Sequence, residues 1–185
     1  PLKSVAIAAA LCASQLASAA EIVPYAESWF APNLAAARTN LGLNNAILSF
    51  GITRGSCVLE PTMPSRLADA RQFVNLGGKL AISMGGADGV YVEAACSDDQ
   101  MFAIMDKLIQ DSGTRRIDWD IEGANTNNVD ATARRNRVLL RLQAKYPDLY
   151  TSITLSAWFR GVSAASLQVV KSAVDAGVRV SMVNA

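Results

Sequence analysis

Six short runs of β-branched and aliphatic residues, at 21–25, 46–52, 80–84, 116–121, 151–157 and 179–183, alternate with amphipathic stretches at 34–39, 65–76, 97–111, 128–146 and 163–176. Strands separated by helix-length connections do not close as hairpins. Each helix carries the chain back across the sheet, so successive strands run parallel and bury both faces. The punctuation agrees with these boundaries. Pro64 and Ser65 open the second helix and Gly77-Gly78 closes it, Ser97 or Asp98 caps the third with Gly113 after its end, and Ser163 and Gly177 bracket the fifth.

Two architectures suit such a rhythm: an open doubly wound sheet and a closed (β/α)8 barrel. No GxGxxG or GxxxxGK[ST] follows any strand, which removes support from the nucleotide-binding open sheet. Polar residues gather instead at the C-terminal ends of several strands, where a barrel keeps its working residues. The expected fold is therefore α/β, a (β/α)8 TIM barrel with about six of its eight βα units in this sequence.

Composition narrows the chemistry. Lys+Arg number 17 and Asp+Glu 16, so no broad electrostatic footprint points to nucleic acid or an anionic membrane, and a largely neutral partner fits better. Histidine is absent from the sequence, which excludes Ser-His-Asp and Cys-His catalysis and histidine-containing metal sites. Three cysteines without a CxxC pair make no structural zinc site. No metal or cofactor is expected, and acid–base work falls to carboxylates, lysines, tyrosines or cysteines.

Residues 1–19 place Lys3 before an Ala-rich apolar run through Leu11, then Ala17-Ser18-Ala19, the small-residue pattern of a signal-peptidase site. They read as a secretory signal peptide, with an Ala-rich core helix as the alternative. The remainder, 20–185, reads as one partial catalytic domain. Removal of Lys3 with the leader leaves it formally neutral. No later stretch approaches about twenty uninterrupted apolar residues, so a secreted, extracellular monomer with no membrane partner is expected. Cys12 would leave with the leader. Cys57 and Cys96, on loops following the second and third strands, would then form a disulfide across the cleft rim in an oxidising compartment; two unpaired buried thiols are the alternative.

The strand at 116–123 reads RIDWDIEG. Side chains alternate along a strand, so Asp118, Asp120 and Glu122 share one face and Ile117, Trp119 and Ile121 pack on the other, under the helices. Adjacent acids lie about 6.5–7 Å apart at strand rise, and like charges so close in a partly desolvated barrel raise at least one pKa. A carboxyl that keeps its proton near neutrality is what a glycosidase needs to protonate a leaving sugar oxygen. Glu122, the longest and nearest the open end, is the candidate acid. Tyr25, Trp29 and Phe30 after the first strand, and Trp158 and Phe159 at the end of the fifth, either stack on sugar faces or pack the rim. Arg134, Arg135, Arg137 and Arg141 read as a solvated helix face.

With these residues in place, the sequence resembles the family 18 glycoside hydrolases, whose fourth barrel strand ends in DxDxE. Ser83-Met84-Gly85-Gly86 is similar to that family's SxGG motif on the third strand. The likeness is closest to the chitinase-like bacterial and archaeal branch reading IDxDIEG, although Arg115-Arg116 stand where many members carry Asp-Gly. The resemblance implies a substrate-assisted, retaining hydrolysis of β-1,4-linked N-acetylglucosamine polymers, chitin or its oligosaccharides. Glu122 would act as general acid/base, Asp120 would orient the acetamido group, and Asp118 would share in the proton balance. Ser83, Gly85, Gly86, Tyr25 and Trp158 would contribute to the substrate site. The family's tyrosine after the sixth strand would lie beyond Ala185.

Two other readings stay open: a non-hydrolytic sugar-binding, lectin-like protein on the same barrel, and an endo-β-N-acetylglucosaminidase acting on N-glycans. Intact Glu122 favours an enzyme over the lectin. Because six units leave open strand edges, this stretch expressed alone is expected to be insoluble or inactive. A soluble product that melts cooperatively and turns over substrate would overturn that expectation.

Overall fold

A computed structural model describes residues 22–30 and 33–185. The leader read over 1–19, with Lys3 and Cys12, lies outside these residues, as does Glu21. The first half of the chain runs β1 (Tyr25–Glu27), α1 (Leu34–Leu41), β2 (Asn45–Gly51), α2 (Thr62–Ser65), α3 (Leu67–Asn75), β3 (Lys79–Gly85), α4 (Val92–Ala95), α5 (Asp98–Ser112) and β4 (Arg116–Ile121). A 3-10 turn over Gly123–Asn127 leads into α6 (Val129–Lys145), β5 (Tyr150–Leu155), β6 (Ala157–Trp158), β7 (Gly161–Val162), α7 (Ala164–Asp175) and β8 (Met182–Asn184).

β1, β2, β3, β4, β5 and β8 form one sheet in that order, and every pairing within it is parallel. Each strand thus lies beside its predecessor, as a repeated βα unit lays strands down. The sheet also curls. The Tyr25 hydroxyl of β1 lies 3.3 Å from Thr154 Oγ1 of β5, four strands away. Flat spacing would separate those strands by about 19 Å. Residues on the concave face of β1, β4 and β5 therefore converge, as in part of a barrel wall, with β1 and β8 as the two edges.

The convex face makes the core. Ile82, Met84, Ile117, Trp119, Ile121 and Ile153 are all buried, and they belong to one cluster with Phe73, Met101, Met105, Leu108, Val138, Leu139 and Leu142 of the helices. Full burial of each such side chain contributes about 1.5–3 kcal/mol. The expected packing of Ile117, Trp119 and Ile121 under the helices is what is found. Caps fix the helix starts: Ser97 and Gln100 form a capping box on α5, and Asn128 and Ser163 cap α6 and α7. The first turn of α1 is capped from outside, its Leu34 and Ala35 amides donating to the Asp69 carboxylate of α3 at 2.8 and 3.0 Å.

Several boundaries differ from the sequence pattern, each for a local reason. The helix expected over 65–76 begins at Leu67, and Pro64 and Ser65, expected to open it, close the short α2 instead, with Arg66 (ψ −8°) between the two as the cap of both. The last strand begins at Met182 and not at 179, because the Gln143 side chain binds both the amide and the carbonyl of Arg179, at 3.0 and 2.8 Å. β5 ends at Leu155, and the residues read as its continuation turn into the antiparallel β6–β7 hairpin. The arginine cluster of α6 is only in part the solvated face expected: Arg137 and Arg141 stay exposed, whereas Arg135 is buried in a helix–helix seam. Arg135 is buried on Glu93 of α4 at 3.0 Å, Arg134 and Arg137 hold Asp98, and Arg141 holds Asp99.

The Cys57–Cys96 disulfide is present and ties the loop after β2 to the end of α4. Cys57 lines a groove between α3 and α5 on the helical side, so the bridge does not span the concave mouth of the sheet. No helix among the described residues is long and apolar enough to cross a membrane. Replacing both cysteines by serine is expected to lower unfolding free energy by about 2–4 kcal/mol, read from denaturant midpoints against the oxidised parent.

Candidate active site

The site begins at Asp118, in the middle of β4, whose carboxylate is fully buried on the concave face. A buried charge is tolerated only when its lone pairs are filled. Four hydroxyls from three other strands reach it. Ser152 and Thr154 of β5 donate to Oδ1 at 2.6 and 2.9 Å, and Ser83 of β3 and Tyr25 of β1 donate to Oδ2 at 2.8 and 3.3 Å. Burial and the neighbouring Asp118 charge push the Tyr25 hydroxyl far above its ordinary value, so it stays protonated as a donor.

Asp120 comes next on the same face, nearly as buried. Glu122 follows the end of β4 with extended backbone (φ −124°, ψ 161°), which keeps the alternation of the strand and leaves the side chain half-buried. Burial is the largest cause of a rise in the Asp120 pKa to about 7, followed by the charges of Glu122 and Asp118 and a hydrogen bond with Glu122. Chain position alone favours Glu122 as the holder of the retained proton. Burial between two acids raises the Asp120 pKa, so a proton kept there lies within hydrogen-bonding reach of Glu122.

Above these acids an open cleft of about 440 Å³ is lined by Tyr25, Phe50, Asp120, Glu122, Thr154, Leu155, Ser156 and Ala157. A second groove of about 440 Å³ shares Phe50 and continues past Trp29, Arg54 and Glu60. Arg54 crosses its rim, paired with Glu60 at 3.1 Å and Asp88 at 3.3 Å. A groove of about 820 Å³ lies on the helical side between α3 and α5. Its acid is neutralised, since Asp111 pairs with Lys107 at 2.7 Å, and it holds no cluster of carboxyls. The acidic cleft is therefore the candidate for chemistry.

Not all the residues expected at the site meet there. Asp118, Asp120, Ser83 and Tyr25 are brought together, with Glu122 beside Asp120. Ser83 is fully buried, its hydroxyl committed to Asp118, so it touches the acids from below and not the cleft. Gly85 and Gly86 shape the wall. A Cβ at Gly85, whose φ is +102°, would run into the Asp120 carbonyl oxygen, and the Gly86 amide donates to that same oxygen at 3.0 Å. Trp158 stands on the β6–β7 hairpin, 74% exposed, beyond the lining residue Ala157. Cys57 and Cys96 are elsewhere. Among the described residues no group of three or more Cys, Asp or Glu is arranged to hold a metal ion.

Sequence reasoning misses Ser152, Thr154, Phe50 and Tyr91. The first two leave a signal, since the alternation of Thr-Ser-Ile-Thr-Leu at 151–155 puts one polar row on the acid face. Phe50 and Tyr91 leave none, because they reach the site from a strand end and a loop.

Comparison with known proteins finds no matching family model and no matching curated protein. Solved structures do match. The catalytic domain of a hyperthermophilic chitinase from Pyrococcus furiosus aligns with TM-score 0.71 at 20% identity, over 87% of this chain and 55% of that one. Catalytic-site mutants of active domain 2 of a thermostable chitinase from the same organism, complexed with chito-oligosaccharides, align with TM-score 0.70 at 21% identity over the same shares. The chain thus spans about half the length of these structures, and over that span it has their fold.

The Asp120 titration sets a stability test. Its folded pKa, about 7, exceeds the unfolded value of about 3.9, so folding favours the protonated form, and this contribution is lost as pH rises from about 4 to about 7. Asp120→Asn removes the titration. Its Tm relative to the parent's should rise across that window and level off above it; a difference that stays flat with pH would contradict the assignment.

Proposed function

We propose that this protein is a secreted glycoside hydrolase of the family 18 type, acting as a monomer on β-1,4-linked N-acetylglucosamine polymers. The observation that carries the reading is the stack of Asp118, Asp120 and Glu122 under one open cleft, where burial and the two neighbouring acids raise the Asp120 pKa. The chitinase fold over this span supports it. The bound chito-oligosaccharides of one matching chitinase make that sugar class the first to try.

In this reading the acetamido oxygen of the bound sugar attacks its own anomeric carbon while the bond to the leaving sugar breaks, and Glu122 protonates the departing oxygen. Water then opens the cyclic intermediate as Glu122 takes a proton back, giving net retention. Asp120 passes its retained proton to Glu122, which delivers it, and is left as the carboxylate that accepts a hydrogen bond from the acetamido N–H as positive charge develops there. Asp118, its lone pairs filled by four hydroxyls, lies beneath both. An endo-β-N-acetylglucosaminidase would use the same carboxylates on an N-glycan, so substrate choice is part of the test.

In the intact protein, as distinct from this stretch expressed alone, turnover of fluorogenic chitobiose and chitotriose is expected, with no release of a high-mannose glycan from a glycoprotein; the opposite pattern would reassign the substrate. Glu122→Gln should lower kcat by about three orders of magnitude or more with oligosaccharide affinity kept within about threefold. Near-parental turnover would remove Glu122 from its role. Because the Asp120–Glu122 pair keeps its proton up to about pH 7, kcat should fall as pH rises through that value.

A further inference from the structure

We infer that Tyr91, at the N-cap of α4, is a positioning residue for Glu122, acting through the Glu122 main chain and making no contact with substrate itself. The inference rests on the hydrolase reading above and adds a residue to it.

Parallel strands exchange hydrogen bonds in a fixed order: an amide donates to the carbonyl one residue before its partner, and the carbonyl accepts from the amide one residue after. Gly85 is the partner of Asp120. The last regular rung between β3 and β4 is accordingly the Gly86 amide donating to the Asp120 carbonyl at 3.0 Å. The rung after it would run from the Glu122 amide to the Gly86 carbonyl. That rung is interrupted by a phenol. The Tyr91 hydroxyl accepts from the Glu122 amide at 3.0 Å and lies 2.9 Å from the Gly86 carbonyl and 3.0 Å from the Asp120 carbonyl, either of which takes its proton.

The strand ends are thus spread by one oxygen atom at the residue that carries the proposed acid. Tyr91 is 2% exposed, so no water is at hand to take the hydroxyl's place. Burial raises its pKa to about 12, opposed by the Glu122 amide, and it remains a neutral donor and acceptor across the working pH range. Without the hydroxyl, two outcomes are open to the backbone: the Glu122 amide closes directly onto Gly86, drawing the residue toward β3, or both groups stay buried without partners. Either moves the Glu122 carboxyl relative to Asp120 and the cleft. The segment carrying Tyr91 is held independently of the site. Val90 exchanges backbone hydrogen bonds with Thr53 at 2.8 and 3.0 Å, and Cys96 is fixed by the disulfide.

The test is Tyr91→Phe in the intact protein, with Tyr146→Phe as its control. Tyr146 loses a comparable hydroxyl contact, to Asp106 at 2.5 Å, far from the acids on the helical side. On a fluorogenic chito-oligosaccharide, Tyr91→Phe should lower kcat by about tenfold to a hundredfold with KM within about threefold, since a displacement near 1 Å at a reacting group has an effect of this size. The falling limb of its pH–rate profile should also be displaced from the parent's, because the Asp120–Glu122 separation has changed. Tyr146→Phe should lose Tm while keeping parental kcat and profile. Parental kcat and pH profile in Tyr91→Phe would overturn the inference, and so would an equal loss of kcat in Tyr146→Phe. A parent inactive on every chito-oligosaccharide would instead sink the hydrolase reading itself, a result distinct from either.

Discussion

The buried Asp118 carboxylate sets terms for everything around it. An unpaired carboxylate in such a place costs several kcal/mol, and the molecule offsets that cost with hydroxyls drawn from β1, β3 and β5. Only a curled sheet brings those strands within reach of one side chain. The curvature, the row of small hydroxyl residues on the concave face and the negative charge beneath Asp120 are therefore one requirement seen from three sides. The charge also feeds forward, since Asp118 is among the causes that raise the Asp120 pKa.

Behind the sheet the problem is solved differently. The convex side packs apolar side chains and also buries an ion pair: Glu93 and Arg135 meet there, and the Arg135 guanidinium lies 5.9 Å above the Trp119 ring. Arg134 adds a hydrogen bond to the Glu93 carbonyl. A pair of this kind adds little net stability, but breaking it by removing one partner is costly. Its geometric effect is plain: it fixes α6 against α4, the short helix whose N-cap is Tyr91.

The fold was legible in the sequence wherever the determinant is local. The βα rhythm, the Ser97 and Ser163 caps and the inward row of Asp118, Asp120 and Glu122 all follow from spacing along a few residues. What escaped prediction depends on partners distant in the chain. The late start of β8 is caused by Gln143, thirty-six residues earlier than the Arg179 it clamps. The burial of Arg135 among the α6 arginines was missed because its acid, Glu93, lies on α4. Which acid keeps the proton depends on burial by other strands, a property that the motif does not carry. Tyr91 was unreadable for the same reason, as its role is written in backbone atoms of two strands it does not belong to.

The anchoring of residues 90–96 at both ends bears on how the cleft meets a ligand. With Val90 paired to Thr53 and Cys96 bound to Cys57, the conformational freedom of this segment is given up when the chain folds and is not given up again at each encounter. A loop free to settle only around its ligand would subtract that ordering entropy from affinity every time. Here the Glu122 backbone is preorganised by a segment whose order is independent of whether the cleft is filled.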